Sequence, residues 1–298
     1  MCGIVGIYLK NDDLNSTLGQ MLAAMLVEMS DRGPDSAGVA LYRDPVAASS
    51  CKLTLHAATD YDWSALQSKL AAHISADVAL RVHASHAVIT AATDVDRVRT
   101  WLKAEHADVR VMSAGSAIEI YKEKGLPREF VEQFKLHELN GSHALGHTRM
   151  ATESAVTTEH SHPFSTGMDL CLVHNGSLSN HNRLRRKLRD EGVDIQTDND
   201  TEVAAGYLMW RLREGDTLEA ALERALVDLD GFYTFAIGTK DGFAVLRDPI
   251  ACKPAVMAET DDWVAMASEF RAIAQLPGVE HATIWEPSPA TVYTWGRG

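Results

Sequence analysis

The segment Met1-Cys2-Gly3-Ile4-Val5-Gly6-Ile7-Tyr8 opens the chain with a cysteine and an apolar run directly behind it. The run from Gly3 to Tyr8 predicts a short buried β-strand. Methionine is normally removed in front of a residue as small as cysteine, so we expect Cys2 to be the mature N-terminal residue. Its free α-amine, with a pKa of ~7.7–8.0, is then a base able to take the thiol proton. By itself, Met1-Cys2 is better explained as an arbitrary start, and the residues downstream decide between the two interpretations.

Composition limits the partners of the chain. It has 298 residues, a net charge of −13 and 46% hydrophobic residues, enough for a full core. The acidic balance argues against nucleic acid and against an anionic membrane surface. No apolar run approaches the ~20 residues of a membrane span, and no signal peptide pattern precedes the first strand. We therefore expect a cytoplasmic protein.

The remaining cysteines predict no metal or disulfide chemistry. Cys51, Cys171 and Cys252 form no CxxC pair, and we expect free, structural thiols. The cluster His160-Ser161-His162, together with His174, could be drawn as a metal site. We expect no metal to be bound there.

Hydrophobic patterning divides the chain into a body and an insertion. Residues 52–115 read as β-α-β-β-α-β, the split βαβ or ferredoxin-like order, with apolar faces on both helices. In the body, a helix is predicted over residues 15–30, and two more, at about 201–214 and 217–227, follow an acidic loop. Short strands make up most of the rest. This predicts a layered α+β body with an inserted lobe.

Four motifs follow Cys2-Gly3-Ile4-Val5-Gly6: Arg32-Gly33-Pro34-Asp35-Ser36-Ala37-Gly38, Gly146-His147-Thr148-Arg149-Met150-Ala151-Thr152, His174-Asn175-Gly176-Ser177-Leu178 and Asn199-Asp200-Thr201-Glu202. In this order they closely resemble the class II glutamine amidotransferases, which are N-terminal-nucleophile hydrolases. The likeness covers residues 2–45 and 115–298. It implies an α+β, four-layer αββα fold, an amidotransferase domain over 2–298, and a ferredoxin-like βαββαβ lobe inserted at 52–115.

The resemblance also implies roles for individual residues. Attack on glutamine creates an oxyanion, for which Asn175 offers its side-chain NH2 and Gly176 its backbone N–H. The alternative for this pair is an ordinary hairpin turn. Arg149, assisted by Thr152, is the candidate for the α-carboxylate of glutamine.

Two further residues are expected to contact glutamine. Asp200 is the candidate for the α-ammonium group, and its alternative is a helix N-cap. Arg32 lies in the segment that folds over bound glutamine in the family, and its alternative is a plain surface turn.

The predicted reaction is hydrolysis of L-glutamine through a Cys2 thioester, with ammonia passed to a separate synthase subunit. The chain resembles the amidotransferase subunit of glutamate-synthase-like complexes such as N-methylglutamate synthase. That resemblance implies no cofactor in this chain and places flavin and iron–sulfur groups on partner subunits. One alternative is a glutaminase serving a phosphoribosyl or sugar-phosphate acceptor. The other is a catalytically silent subunit that binds glutamine or acts as a scaffold.

Overall fold

The computed structural model describes residues 2–74, 76–151 and 156–296. Within them the chain forms sixteen β-strands and eight α-helices. The strands are β1 (Gly3–Leu9), β2 (Ser36–Tyr42), β3 (Cys51–His56), β4 (Val78–His83), β5 (His86–Ala91), β6 (Arg110–Gly115), β7 (Ile118–Lys124), β8 (His143–Arg149), β9 (Phe164–Gly167), β10 (Leu170–Leu178), β11 (Gly231–Thr239), β12 (Gly242–Arg247), β13 (Val256–Glu259), β14 (Trp263–Ala267), β15 (Thr283–Trp285) and β16 (Thr291–Gly296). The helices are α1 (Leu18–Glu28), α2 (Trp63–Ile74), α3 (Val95–Glu105), α4 (Pro127–Gln133), α5 (His181–Asp190), α6 (Asp200–Arg213), α7 (Leu218–Asp228) and α8 (Phe270–Ile273).

Two sheets form the centre of the body. One has seven strands in the order β15-β13-β14-β1-β8-β2-β7, and the other has five in the order β16-β12-β11-β10-β9. Helices α1, α4 and α8 pack on the outer face of the first sheet, and α5, α6 and α7 pack on the outer face of the second. A third apolar cluster fills the space between the sheets. The body therefore has the four-layer αββα order that the sequence analysis expects.

Strand β1 explains why the N-terminal run is apolar throughout. Its side chains alternate between the two faces of the sheet. Ile4 and Tyr8 point into the cluster between the sheets, whereas Val5, Ile7 and Leu9 pack toward the outer helices. Because both faces are covered, every residue of β1 is buried. The strand thereby fixes the position of the cysteine that precedes it.

A separate four-stranded sheet, in the order β4-β5-β3-β6, is built from antiparallel pairs. Helices α2 and α3 pack against it and contribute Leu66, Leu70, Val98 and Trp101 to an apolar cluster distinct from those of the body. The element order from β3 to β6 is β-α-β-β-α-β, as predicted. We call this unit the lobe.

A buried carboxylate connects the lobe to the body. Glu119 of β7 is 2% exposed and lies 2.7 Å from Arg81 Nη2 and 3.5 Å from Lys52 Nζ, both in the lobe. On the body side, Arg43 Nη1 lies 3.3 Å away and the Tyr121 hydroxyl donates at 2.8 Å. Burial raises the pKa of Glu119, but these three cations outweigh it and lower that pKa overall. The carboxylate is thus ionised and forms ion pairs with cations of the lobe and of the body.

A second carboxylate secures the point at which the chain leaves the lobe. Asp169, in the turn between β9 and β10, accepts hydrogen bonds from the backbone N–H groups of Ser116 (2.7 Å), Ala117 (2.8 Å) and Ile118 (3.0 Å). The Ser116 hydroxyl donates to it as well, at 2.9 Å. The connection from β6 to β7 is therefore held against the second sheet of the body.

Local features at α1 and α5 differ from the sequence-based expectation, and the short helix α8 was not predicted. The predicted helix over residues 15–30 is a 3-10 turn at Asp12–Thr17 followed by α1. Helix α5 was not predicted, because it buries only Leu184 and Leu188 and has no side-chain N-cap. No helix within the described ranges has the length and apolar character that crossing a membrane requires.

Candidate active site

Cys2 directly precedes β1 and lies at the end of the first sheet. Gly3 pairs with Thr148 of β8, which brings the Cys2 thiol to the residues following that strand. Its Sγ atom lies 3.9 Å from the carbonyl oxygen of Met150. The residue is half-buried, so the thiol is held by the sheet and still reachable. Met1 lies outside the described residues.

Two residues singled out by the sequence converge on the main chain of Cys2. Arg32 Nε donates a hydrogen bond of 3.0 Å to the Cys2 carbonyl oxygen. Asn175 Nδ2 donates to the same oxygen at 3.3 Å. They come from opposite sides, because Arg32 precedes β2 in the first sheet and Asn175 belongs to β10 in the second. The carbonyl of Cys2 is therefore fixed by both sheets.

The Asn175-Gly176 pair lies inside a strand and does not form a hairpin turn. Both residues belong to β10 and pair with Thr234 and Tyr233 of β11. Gly176 has φ +145, and a Cβ added there would come within 2.0 Å of the Phe232 carbonyl oxygen. No residue with a side chain fits this position without displacing backbone. The structure thus removes the hairpin alternative and shows why glycine is needed.

Asp200 is the first residue of α6, and its neighbour Asn199 caps that helix by accepting from Thr201 N–H at 2.8 Å. The carboxylate of Asp200 is therefore not the cap. It accepts from Leu178 N–H at 2.9 Å and lies 3.7 Å from His174 Nδ1. Burial raises its pKa, but the interactions with His174 and Leu178 outweigh burial and lower the pKa to about 2. Asp200 is an anion at neutral pH.

Three buried histidines support this region, and two of them contact Thr201. His162 Nε2 and His174 Nδ1 contact the Thr201 hydroxyl at 2.8 and 3.0 Å. His147 Nε2 donates to the His174 carbonyl oxygen at 3.1 Å, and burial lowers the pKa of His147 to about 3. The ring of His160 instead lies 3.2 Å from Asp198. Within the described residues, no group of three His, Cys, Asp or Glu side chains is arranged to hold a metal ion.

Arg149 ends β8 and is 6% exposed. Its backbone is packed tightly, since a Cβ added to Gly33 would lie 2.5 Å from Arg149 N. Its carbonyl oxygen accepts from Asp35 N–H at 3.0 Å, and the Asp35 carboxylate accepts from Ala151 N–H at 2.7 Å. The Arg32-Gly33-Pro34-Asp35 segment therefore lies against the end of β8. Thr152 lies outside the described residues.

Two acidic residues near this site were given no role from the sequence. Glu202 accepts from the backbone N–H groups of Gln196 (2.9 Å) and Thr197 (2.6 Å), which holds the loop before α6. Glu269 forms an ion pair of 2.5 Å with Arg32. Glu202 was visible as the third residue after Asn199, a spacing typical of helix starts. The sequence around Glu269 gave no signal of its partner, which is 237 residues away.

A cleft of about 1040 Å³ separates the lobe from the body, and Cys2, Asn175 and Asp200 are not among its lining residues. The lobe contributes His56, Arg99 and Arg110 to its walls, and the body contributes Lys122, Glu159 and Glu202. Lys122 donates hydrogen bonds to the carbonyl oxygens of Ser161 (2.8 Å) and Pro163 (3.2 Å), on both sides of His162. Burial lowers the pKa of Lys122 to about 7.

Comparisons with known proteins identify the family. Residues 147–275 match the glutamine amidotransferase domain. The chain is 56% identical to the glutamine amidotransferase-like protein GlxB of Rhizobium meliloti, over 99% of this chain and 98% of GlxB. It is 30% identical to a putative glutamine amidotransferase of Methanothermobacter thermautotrophicus, over 98% and 99% of the two chains.

A solved structure supports the fold. Glutamine phosphoribosylpyrophosphate amidotransferase from B. subtilis, complexed with ADP and GMP, superposes with a TM-score of 0.63 over 99% of this chain and 47% of that protein, at 22% identity. The predicted class II, N-terminal-nucleophile fold is thereby confirmed. Because relatives at 56% and 30% identity match along almost their entire lengths, this chain belongs to the glutamine amidotransferase family of enzymes.

Proposed function

We propose that this enzyme hydrolyses L-glutamine to glutamate and ammonia with the Cys2 thiol as nucleophile. The observation that carries the proposal is the fixation of the Cys2 main chain by Arg32 and Asn175, next to a half-buried thiol. Removal of Met1 frees the α-amine of Cys2, which takes the thiol proton. The sulfur attacks the side-chain carbonyl of glutamine, ammonia leaves with a proton, and a thioester remains. Water then releases glutamate and restores the thiol.

Asn175 and Gly176 are proposed to stabilise the oxyanion that forms during both steps. The amide nitrogen of Asn175 carries two hydrogens, and its hydrogen bond to the Cys2 carbonyl oxygen uses one of them. The second is left for the substrate oxygen. The backbone N–H of Gly176 is the other proposed donor, and the absence of a side chain keeps this part of β10 open to a close approach.

Charged residues at the site are proposed to select glutamine by its α-ammonium and α-carboxylate groups. Asp200 remains ionised at neutral pH, which suits the α-ammonium group of the substrate. Arg149 is proposed to bind the α-carboxylate, with Thr152 assisting. Arg32 is proposed to contribute as well, since its Nη2 is buried and, within the described residues, forms no hydrogen bond.

The ammonia is proposed to reach a separate synthase subunit of the glutamate-synthase-like type, with N-methylglutamate synthase as the example we favour. Flavin and iron–sulfur groups would belong to that partner. Two relatives that this chain matches along 98% and 99% of their lengths support a subunit of this size. The matched phosphoribosylpyrophosphate amidotransferase is about twice as long, since the chain covers 47% of it. Because that protein is a phosphoribosylpyrophosphate amidotransferase, a glutaminase that serves a phosphoribosyl acceptor is the second candidate.

The lobe, proposed to span residues 52–115, is a docking element for this synthase partner. It packs its own apolar core, and Glu119 and Asp169 hold it to the body. In the described part of the chain β4 is an edge strand of the lobe sheet, and Val82 on that strand is 48% exposed. An exposed edge strand is a common site of protein association.

The test uses the purified full chain and Cys2→Ala. The mass of the intact protein should show loss of Met1, and Cys2→Ala should neither release ammonia from glutamine nor react with a glutamine-analogue alkylator. Cys252→Ala, which removes an exposed cysteine outside the proposed site, is the matched control and should behave like the parent. Hydrolysis by Cys2→Ala would reject the mechanism. Retention of Met1 in an active enzyme would reject the role of the α-amine.

A further inference from the structure

A chain of ionic contacts leads from the surface to the main chain of Cys2. Arg32 donates from Nε to the Cys2 carbonyl oxygen at 3.0 Å, and its Nη1 lies 2.5 Å from Glu269 Oε1. The other oxygen of Glu269, Oε2, lies 2.8 Å from Arg271 Nε. Arg271 Nη1 also reaches Asp31 at 3.5 Å. Glu269 therefore lies between two guanidinium groups, and of these Arg32 both donates a hydrogen bond to it and contacts Cys2.

The backbone beside Glu269 is fastened to β1 close to the nucleophile. Ser268 N–H donates to the Ile4 carbonyl oxygen at 2.9 Å, and Ile4 N–H donates to the Ser268 hydroxyl at 3.0 Å. These two bonds continue the pairing of β1 with β14, in which Val5 lies opposite Ala267. The carboxylate of Glu269 thus starts from a backbone position that is fixed relative to Cys2.

Arg32 needs such an anchor in order to keep its orientation. Its side chain is 10% exposed, and a guanidinium stays charged at any physiological pH. A long, flexible cation with a removed counter-charge would turn toward water, because burying an unpaired charge is costly. It would then release the Cys2 carbonyl and withdraw Nη2, which is buried without a hydrogen bond inside the described part of the chain.

We propose that Glu269 is a positioning residue for the nucleophile: it orients Arg32 so that one nitrogen holds the Cys2 carbonyl and another faces the site. This role rests on the proposed function, in which Cys2 attacks glutamine. The Glu269 side chain is 32% exposed, and partly exposed ion pairs contribute little to stability. The effect of losing it should therefore appear in turnover and not in folding.

The experiment compares Glu269→Ala, Glu269→Gln and the control Glu259→Ala. Glu259 has nearly the same side-chain exposure, 33%, and pairs with Lys10 at 2.6 Å, but it lies at the far end of β1, beside Val264, which pairs with Tyr8. Glu269→Ala should lower kcat on the order of 10- to 100-fold, the scale of a small misplacement of a reacting group. It should raise KM by a smaller factor, because Arg32 is also proposed to contact glutamine. Glu269→Gln keeps an oxygen that accepts from Arg32 and should recover most of the loss. Glu259→Ala should match the parent.

Labelling separates this role from a structural one. The rate at which a glutamine-analogue alkylator modifies Cys2 should fall in Glu269→Ala in parallel with kcat, while the thermal unfolding midpoint stays near that of the parent. Unchanged kcat in Glu269→Ala, an equal loss in Glu259→Ala, or a loss confined to KM would overturn the proposal. Activity in Cys2→Ala would reject the proposed function and this role with it. Full activity of Glu269→Ala beside an inactive Cys2→Ala would reject this role alone.

Discussion

The side chain of Asn175 has two N–H groups, and one of them already serves the Cys2 carbonyl oxygen. Asn175→Ala should therefore remove an oxyanion donor and loosen the nucleophile together. We expect kcat to fall by ~10²–10³, the usual cost of losing one such donor, with little change in KM. Asn182→Ala, an exposed residue of α5 whose amide oxygen accepts from Arg185, is the control. A rise in KM at unchanged kcat would instead assign Asn175 a role in substrate binding.

The carboxylate of Asp200 should make stability depend on pH. Its pKa is lowered from 3.8 to about 2, so the native state favours the ionised form. A depressed pKa contributes stability above the unfolded value of 3.8, and that contribution is lost as pH falls through about 2. By linkage it amounts to roughly 2 kcal/mol at neutral pH.

Asp200→Asn should accordingly lower the free energy of unfolding at pH 7, and the difference from the parent should shrink as pH falls below about 4. Chemical denaturation at a series of pH values measures this. Asp198→Asn, which changes a side chain that is 78% exposed, is the control and should show a much smaller effect. A difference between Asp200→Asn and the parent that is constant from pH 7 to pH 2.5 would contradict the assigned ionisation.

Residues that form motifs were predictable, and their distant partners were not. Asn175, Asp200 and Arg32 were found because each lies in a short pattern with a chemical reason for its residue types. The structure brings Arg32 and Asn175 to one atom of Cys2 and places Asp200 beside His174. Glu269 could not be found in this way, because pairing with Arg32 depends on β1 and β14 being neighbours in the sheet.

At the scale of elements, the Thr201 hydroxyl joins the start of α6 to β10, in addition to the Asp200 carboxylate. Thr201 is fully buried and contacts ring nitrogens of His162 and His174, which are also buried. Thr201→Val preserves the shape but leaves these polar groups without their partner. We expect a loss of about 1–3 kcal/mol in the free energy of unfolding, the cost of leaving buried polar groups unsatisfied.

Strand β11 provides the matched control for this change. Thr234 is also fully buried, but within the described residues its hydroxyl forms no hydrogen bond. Thr234→Val removes a polar group that has no partner to lose, so it should be neutral or stabilising. Equal destabilisation by Thr201→Val and Thr234→Val, measured by denaturation, would show that the hydroxyl of Thr201 does not connect the two elements.

Elements with strong periodicity were predicted well, and weakly patterned ones were not. The run Gly3 to Tyr8 and the β-α-β-β-α-β order of the lobe were identified from their apolar patterns. Helix α5 was missed because its sequence is dominated by basic residues, and two leucines make a stripe too short to recognise. Its stability comes from packing against α6, which only the folded chain reveals.

At the scale of the whole molecule, the two ends of the lobe meet at one place on the body. Lys52 and Gly115 are paired neighbours on β3 and β6, so the two ends of residues 52–115 lie side by side. A short Gly/Ser linker therefore closes the gap. Deletion separates Glu119 from Lys52 and Arg81 and leaves it Arg43 and Tyr121. Full-length Glu119→Gln consequently serves as the control for losing this contact.

The lobe deletion should keep basal glutamine hydrolysis, because Cys2, Asn175 and Asp200 all lie in the body. If the lobe docks the synthase partner, the deleted form should co-purify with that partner far less than Glu119→Gln does. It should also release more free ammonia for each molecule of product, since ammonia that is not passed between chains escapes into solvent. Normal assembly and coupling by the deleted form would exclude docking through the lobe. Loss of hydrolysis would show instead that the lobe supports the site across the cleft that contains Lys122 and Glu202.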